Sequence, residues 1–463
     1  MKKRVVFVGV AIYFARYQHA IGKKLEEKGV KVSHVTYSKE AYNFLKKNNA
    51  DVTYLPDFTD KCVLKKPAGK YLEEIESEYN INANLLLLGD YDHSLMSREK
   101  AFESMVKNFM FWEDYLKNKD VNMILSGVER FAGMIPYAVS KKYDVRYYYW
   151  TRAVIPNNFV LSEDQCGHWS VLDKYWGKNK NRELTTEERK EATEIINDIL
   201  EKKRALYLVV GTPKVTISGA LFFFKRLYLN IFVEKFRNPY ARVIRIAWDK
   251  IKKAVRKYLV KPLYSQPDYN EKFFIYPLHV ENDAQLLVRA PPYEDQIPII
   301  KYISRCLPAG YKLYIKEHPN NIGGMAIGKL RETKNIPNVR LVSPYLSSHD
   351  LISKSQGVIV INSTVGWEAM LYGKPVIVLG TGFYDVSEMV WKVRDLYELP
   401  EIIKKALNKK IIIREKLLRF ANAIRKSSYP GNVNFYYQYA EKAMADENIS
   451  LIAKGIYTEL NKK

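Results

Sequence analysis

Three stretches in the C-terminal half hold polar residues where apolar runs stop. The most informative is Val358-Ile359-Val360-Ile361-Asn362-Ser363-Thr364-Val365-Gly366-Trp367-Glu368-Ala369, closed by Gly373-Lys374-Pro375. A strand that halts at Asn362, Ser363 and Thr364 and passes directly into a helix aims backbone N–H groups and two hydroxyls at one place. That arrangement seats an anion without a metal. Gly366 would let a ligand approach the backbone, and Glu368, one turn further on, could accept ribose hydroxyls. An ordinary Ser/Thr helix cap with an acid in its first turn has the same pattern. The second stretch is Lys316-Glu317-His318-Pro319. Lys316 and His318 alternate on a strand and so share a face. A cation and an imidazole at a strand end suit a phosphate leaving group, the one neutralising charge and the other donating a hydrogen bond or a proton. A surface lysine with a structural histidine would look alike. The third runs from Pro277 to Asp283 and offers His279, Glu281 and Asp283 just before a helix. Its carboxylates could act as base, nucleophile or cap, and capping is the commonest use of an aspartate at the position of Asp283.

These residues need strands and helices to hold them. A β-branched run over 5–10, a helix over 17–28 ended by Gly29 and a strand over 30–36 form a βαβ opening. A strand over 122–126 leads through Gly127-Val128-Glu129-Arg130 into a helix over 131–142, and a strand over 145–150 follows. Alternation resumes after Pro267, with strands expected over 272–276, 312–316, 339–342, 357–361 and 375–379 and helices between them. The fold class is therefore α/β, with two Rossmann-like units. All three polar stretches end strands of the second unit, where open α/β sheets bind ligands.

The 463 residues carry 74 Lys+Arg against 51 Asp+Glu, a net +23 that calls for an anionic partner. Over 202–261 there are sixteen basic residues and two acids, so 16 − 2 = +14 of that charge lies in one segment rich in Phe, Tyr and Trp. Such interleaving fits a pair of amphipathic helices on an anionic membrane surface, or a hairpin packed on the body with a solvated basic face. Nucleic acid is disfavoured, because no nucleic-acid-binding motif accompanies the patch. The start, Met1 to Ala15, is similar to a signal peptide, but its short apolar run meets Arg16 with no cleavage site, so Arg4 to Val10 reads as a buried first strand. The longest apolar approach to a spanning helix, over 205–224, is broken by Pro213, Lys214 and two glycines. Cys62, Cys166 and Cys306 are too scattered for a zinc site or a disulfide framework, which fits a reducing compartment such as the cytoplasm.

Taken together and in this order, the three stretches resemble the capsule and surface polysaccharide biosynthesis family that includes the bacterial β-Kdo transferases. The family's acidic DxxL-like turn is matched by Asp283-Ala284-Gln285-Leu286, its KxHP by residues 316–319, and its NSTVGxEA…GKPV by residues 362–369 and 373–376. Residues 155–161 and 167–170 also look like the family's segment entering the cleft. His279 stands where many relatives have Gln, and the first 120 residues carry no family motif. The resemblance implies a GT-B-like fold and metal-independent glycosyl transfer. The donor would be CMP-activated, with Kdo or a related ulosonic acid the first candidate. The acceptor would be a surface glycan or a glycolipid at the inner membrane face. More distantly, the His-Pro pair and the two hydroxyls are similar to those of bacterial sialyltransferases.

Carried over by motif, Asp283 is the catalytic carboxylate, and His318 assists departure of the CMP phosphate. Lys316, Asn362, Ser363, Thr364, Gly366 and Glu368 form the donor side. Glu129 and Arg130 complete the site from across the cleft, near Glu281 and His279. No cofactor and no metal are implied. The domains expected are an acceptor-side unit over 1–201, a basic helical insertion over 202–268, a nucleotide-sugar unit over 269–398 and C-terminal helices over 399–463. A UDP- or GDP-sugar transferase, a nucleotide-sugar epimerase and a non-catalytic anion- or RNA-binding protein are the alternatives.

Overall fold

The computed structural model describes residues 2–164, 167–203, 217–434 and 440–462. The expectation over 205–224 lies partly outside them, as does Cys166.

Six strands build most of the first sheet: β1 (Arg4–Gly9), β2 (Lys31–Thr36), β3 (Asp51–Tyr54), β4 (Met123–Ser126), β5 (Arg146–Arg152) and β6 (Asn158–Ser162). Their order is β6-β5-β4-β1-β2-β3, with the short strand Tyr429–Pro430 added beyond β6. β1 to β5 are parallel, whereas β6 pairs antiparallel with β5 and with Tyr429–Pro430. Val5, Val6, Phe7 and Val8 are wholly buried. A continuous apolar run is what a parallel strand covered on both faces requires.

The second sheet comprises β7 (Lys272–Pro277), β8 (Tyr311–Lys316), β9 (Val339–Val342), β10 (Gly357–Val360), β11 (Val376–Val378) and β12 (Trp391–Lys392). All are parallel, in the order β12-β11-β10-β7-β8-β9. Counted from its first strand, each sheet thus runs 3-2-1-4-5-6, the doubly wound Rossmann order with a switch point between strands 1 and 4. Alternate residues divide the second core into two layers. Phe273, Ile275, Val358 and Val360 face one way, and Phe274, Tyr276, Ile359 and Ile361 the other.

The packing differs from the expected domain division in two places. Helices Ser170–Asn179 and Thr186–Glu201, placed in the N-terminal unit from sequence, bury Leu172, Trp176, Ile196 and Ile199 in the core of the second sheet, beside helix Arg414–Lys426. The basic segment is also less separate than an insertion. It forms helix Ile217–Tyr228, a π-helical turn Leu229–Val233 and helix Val243–Val260. Three of its side chains are bound into the first sheet's loops. Glu234 accepts from the Ser38 hydroxyl at 2.6 Å and from the N–H groups of Lys39 and Glu40 at 2.9 and 3.2 Å. Asn238 donates to the carbonyl of Val10 at 3.0 Å, and the Tyr240 hydroxyl donates to Asp90 at 3.1 Å. At the other end of the chain, helix Asp446–Asn461 packs on helix Ile12–Glu26.

Candidate functional site

Strand order brings the three polar stretches together. β10, β7 and β8 are neighbours, so the loops that leave their carboxyl ends, around residues 362–364, 278–283 and 316–319, lie side by side. The contact is fixed by hydrogen bonds. The Asn362 amide donates to the carbonyl of Gln285 at 2.7 Å, and the backbone N–H of Leu278 donates to the carbonyl of Lys316 at 2.9 Å. A cleft of about 560 Å³ opens above them, walled by Tyr149, Arg152 and His168 from the first half and by Thr381 and Phe383 from the second. Trp169 stacks on Phe383 with ring centroids 4.3 Å apart, holding two of these loops together.

Lys316, His318, His279, Asp283, Asn362, Ser363 and Thr364 all line this cleft. Lys316 is only 5% exposed and donates to the carbonyl of Pro344 at 3.1 Å. Burial lowers its pKa to about 8, against the opposing pull of the Glu368 carboxylate, so it keeps most of its charge at neutral pH. His318 accepts the backbone N–H of Asn320 on Nδ1 at 3.1 Å, which leaves its proton on Nε2. Its pKa falls to about 4 through burial, then through Lys316 and Lys253. Of the two roles expected of His318, the hydrogen bond to an anion is the one a neutral imidazole supplies. His279 is neutral for a similar reason, lowered to about 4 by burial and then by His318. Its backbone is held on both sides by the Gln296 amide, at 2.9 and 3.2 Å. Asp283 caps helix Ala284–Leu287, accepting from the Gln285 N–H at 3.3 Å, and lines the cleft as well. The cap is thus observed, and the place on the cleft wall leaves the carboxylate within reach of a bound ligand. Ser363 accepts the N–H of Val365 at 3.2 Å.

Five residues are placed differently from expectation. Glu368 is wholly buried, because helix Val365–Leu371 is enclosed on every side, and it lies behind Lys316 rather than on the cleft wall. It is a counter-charge there, not an acceptor for ribose hydroxyls. Gly366 makes room for protein rather than ligand, since a Cβ there would stand 2.5 Å from the hydroxyl of Tyr384. That buried hydroxyl donates to the carbonyl of Ser363 at 2.7 Å. Arg130 turns to Asp92 and Tyr240, away from the cleft. Glu281 is paired with Lys329 at 3.3 Å and does not line the cleft. Glu129 is engaged by Arg289 in a largely buried ion pair linking the loop after β4 to the second sheet. Burial raises its pKa, Arg289 opposes the rise and Asp283 adds to it.

Arg289 is the main residue that sequence reasoning missed. It lines the cleft and stands over the ring of Tyr149 at 5.8 Å. Glu317, between Lys316 and His318, is fully buried and receives the hydroxyl of Tyr264, with its pKa raised by burial to about 7. Helix Val243–Val260 reaches the same loop. Lys253 donates to the carbonyl of Asn320, and Arg256 to that of Gly324 at 3.3 Å. Gly323 has φ +76° and no room for a Cβ, which would meet the N of Lys257 at 2.7 Å. Among the described residues, no group of three or more His, Cys, Asp or Glu side chains could hold a metal, and Cys62 and Cys306 are free thiols.

Residues 236–398 match the family described as "Capsule polysaccharide biosynthesis protein". The match begins at residue 236, within the segment expected as a basic helical insertion over 202–268. Protein FixF of Sinorhizobium fredii is 30% identical over 141 residues, 30% of this chain and 34% of that protein. The capsule polysaccharide export protein KpsS of Escherichia coli is 26% identical over 157 residues, 32% of this chain and 40% of that one. The chain thus spans 34% and 40% of the length of these two relatives. Among solved structures, the β-Kdo 2,7 transferase of Thermosulfurimonas dismutans KpsC aligns over 76% of this chain and 96% of its own, at 15% identity and a TM-score of 0.38. The β-Kdo 2,4 transferase of the same protein aligns over 65% and 79%, at 15% identity and a TM-score of 0.40.

Proposed function

We propose that this chain, a member of the capsule polysaccharide biosynthesis family through residues 236–398, transfers a sugar from a nucleotide-activated donor to a surface-glycan or lipid-linked acceptor. The donor is CMP-activated, with Kdo or a related ulosonic acid the first candidate. One observation carries the reading: Lys316, His318, Ser363, Thr364 and Asp283 converge from adjacent strand ends on one cleft.

The donor phosphate sits against the Lys316 ammonium, the Nε2–H of His318 and the hydroxyls of Ser363 and Thr364. These groups are fixed before the reaction and gain most when the leaving phosphate takes on charge. As the anomeric C–O bond to the phosphate breaks, the electron pair leaves with CMP and positive charge builds on the sugar. Asp283 faces that charge and stabilises it. The acceptor oxygen then forms the new C–O bond and passes its proton to the Asp283 carboxylate. Arg289, held by Glu129, lies beside Asp283 and suits a sugar that itself carries a carboxylate. No metal is assigned, because the cations that the phosphate needs are side chains.

Transfer is measured with CMP-Kdo and an extracted glycolipid acceptor, comparing the natural chain with Asp283→Ala. Loss of turnover on the order of a thousandfold, with CMP binding retained, is the expected result. Turnover near the natural level in the variant removes Asp283 from the reaction. Transfer from a UDP- or GDP-sugar instead of the CMP donor moves the chain to a different donor class.

A further inference from the structure

Helices Ile217–Tyr228 and Val243–Val260 pack on each other and on the body, yet each leaves an apolar stripe in solvent. On the second helix Ile244, Trp248, Ile251, Val255 and Tyr258 recur at spacings of four, three, four and three, one face of a helix, and each is more than half exposed. Leu221, Phe224, Tyr228 and Phe232 form the stripe of the first helix and its π turn, again more than half exposed. Stripes of this kind normally face a core. Here the core-facing work is done by other side chains. Glu234, Asn238 and Tyr240 bind the first sheet, and Lys253 and Arg256 bind the loop after His318.

The charge around the stripes has one sign. Lys225, Lys235, Lys250, Lys252, Lys257 and Lys261 have no carboxylate partner among the described residues. The two acids of the segment are both engaged, Glu234 in the body and Asp249 with Arg245 at 3.6 Å. No helix among the described residues is long and apolar enough to cross a membrane.

We infer that this face is a docking surface for an anionic lipid bilayer, lying in the headgroup layer with its aromatic stripes buried and its lysines among phosphates. A protein partner would have to match two stripes and a one-signed cationic rim at once. A bilayer with anionic headgroups supplies both chemistries. The helix that carries Trp248 abuts Gly323 and reaches Asn320, two residues from His318. Docking therefore brings the donor cleft to the bilayer, where a lipid-linked acceptor would be. For that acceptor the inference rests on the transferase reading, while the docking itself does not.

Flotation of the full chain with vesicles tests it, without nucleotide. Phosphatidylcholine vesicles are compared with vesicles containing about a third phosphatidylglycerol. Binding to the anionic vesicles alone, weakened by salt, is expected. Lys250→Glu with Lys252→Glu should weaken binding about 25-fold or more, taking about fivefold per cation lost. Phe224→Ser with Trp248→Ser should weaken it by a comparable factor. All four positions are exposed, so an unchanged melting temperature and unchanged CMP binding show that fold and cleft persist. Absence of vesicle binding, equal binding to neutral vesicles, or binding indifferent to both double variants overturns the inference. A dimer that dissociates on Trp248→Ser, with no vesicle binding, assigns the face to a second copy of the chain. A chain that binds these vesicles but transfers no sugar keeps the surface and loses the transferase reading.

Discussion

The two sheets share a strand order, but their switch points hold different things. In the second sheet the crevice at the ends of β7 and β10 is an open cleft of about 560 Å³ lined by Lys316, His318, Ser363 and Asp283. In the first, the corresponding ends are filled by the chain itself. Asn238 binds the carbonyl of Val10 after β1, Glu234 binds the loop after β2, and the Tyr240 hydroxyl receives the N–H of Ala132 beyond β4. The same topology thus leaves an open cleft in one place and makes a structural lock in the other. What decides between them is the loops, not the sheet.

That contrast can be broken from either side. The largest effect is expected in the open crevice. Lys316→Met keeps the buried stem and removes the charge, and should weaken CMP binding by about 100-fold, measured by calorimetric titration. Its effect on melting temperature should be small, because a buried cation is costly to desolvate. In the filled crevice the signs exchange. Glu234→Ala orphans the Ser38 hydroxyl and two helix N-terminal N–H groups. It should lower stability by about 2 kcal/mol in chemical denaturation and leave CMP binding unchanged. A Glu234 variant that loses CMP affinity at full stability would show that the two crevices do not work separately.

The smallest effect concerns pH. With its pKa lowered to about 8, Lys316 is charged below that value and loses its charge above it. The kcat/KM for the donor should therefore fall as pH rises through about 8, approaching tenfold per unit well above it. His318 and His279, both near 4, stay neutral across this range and add no step of their own. A pH profile flat up to pH 10 would take the Lys316 charge out of donor recognition.

The open crevice was more legible than the filled one, for a local reason. Asn362-Ser363-Thr364 and Lys316-Glu317-His318-Pro319 interrupt apolar strands, so their placement at strand ends follows from a few neighbouring residues. Glu368 misled because helical spacing says how far along a helix a residue lies, not whether the helix is enclosed. Helix Val365–Leu371 is buried throughout. Arg289 gave no local signal, since its partner Glu129 lies 160 positions away. The antiparallel edge made by β6 and Tyr429–Pro430 was hidden for the same reason. In the basic segment the aromatic and cationic pattern was plain. Its anchors were not, because Glu234, Asn238 and Tyr240 act on loops 196, 228 and 108 residues earlier in the chain.

The central proposal is that the carboxyl end of the second sheet seats the phosphate of a CMP-activated donor, in a cleft that takes CMP in preference to UDP or GDP. Thermal denaturation of the natural chain and of Ser363→Ala with Thr364→Ala, in the presence of CMP, UDP or GDP, tests that seat directly. The expected result is stabilisation by CMP beyond that by UDP or GDP, and its loss in the double variant. Equal stabilisation by all three nucleotides, none by CMP, or a CMP effect that survives in the variant would contradict it.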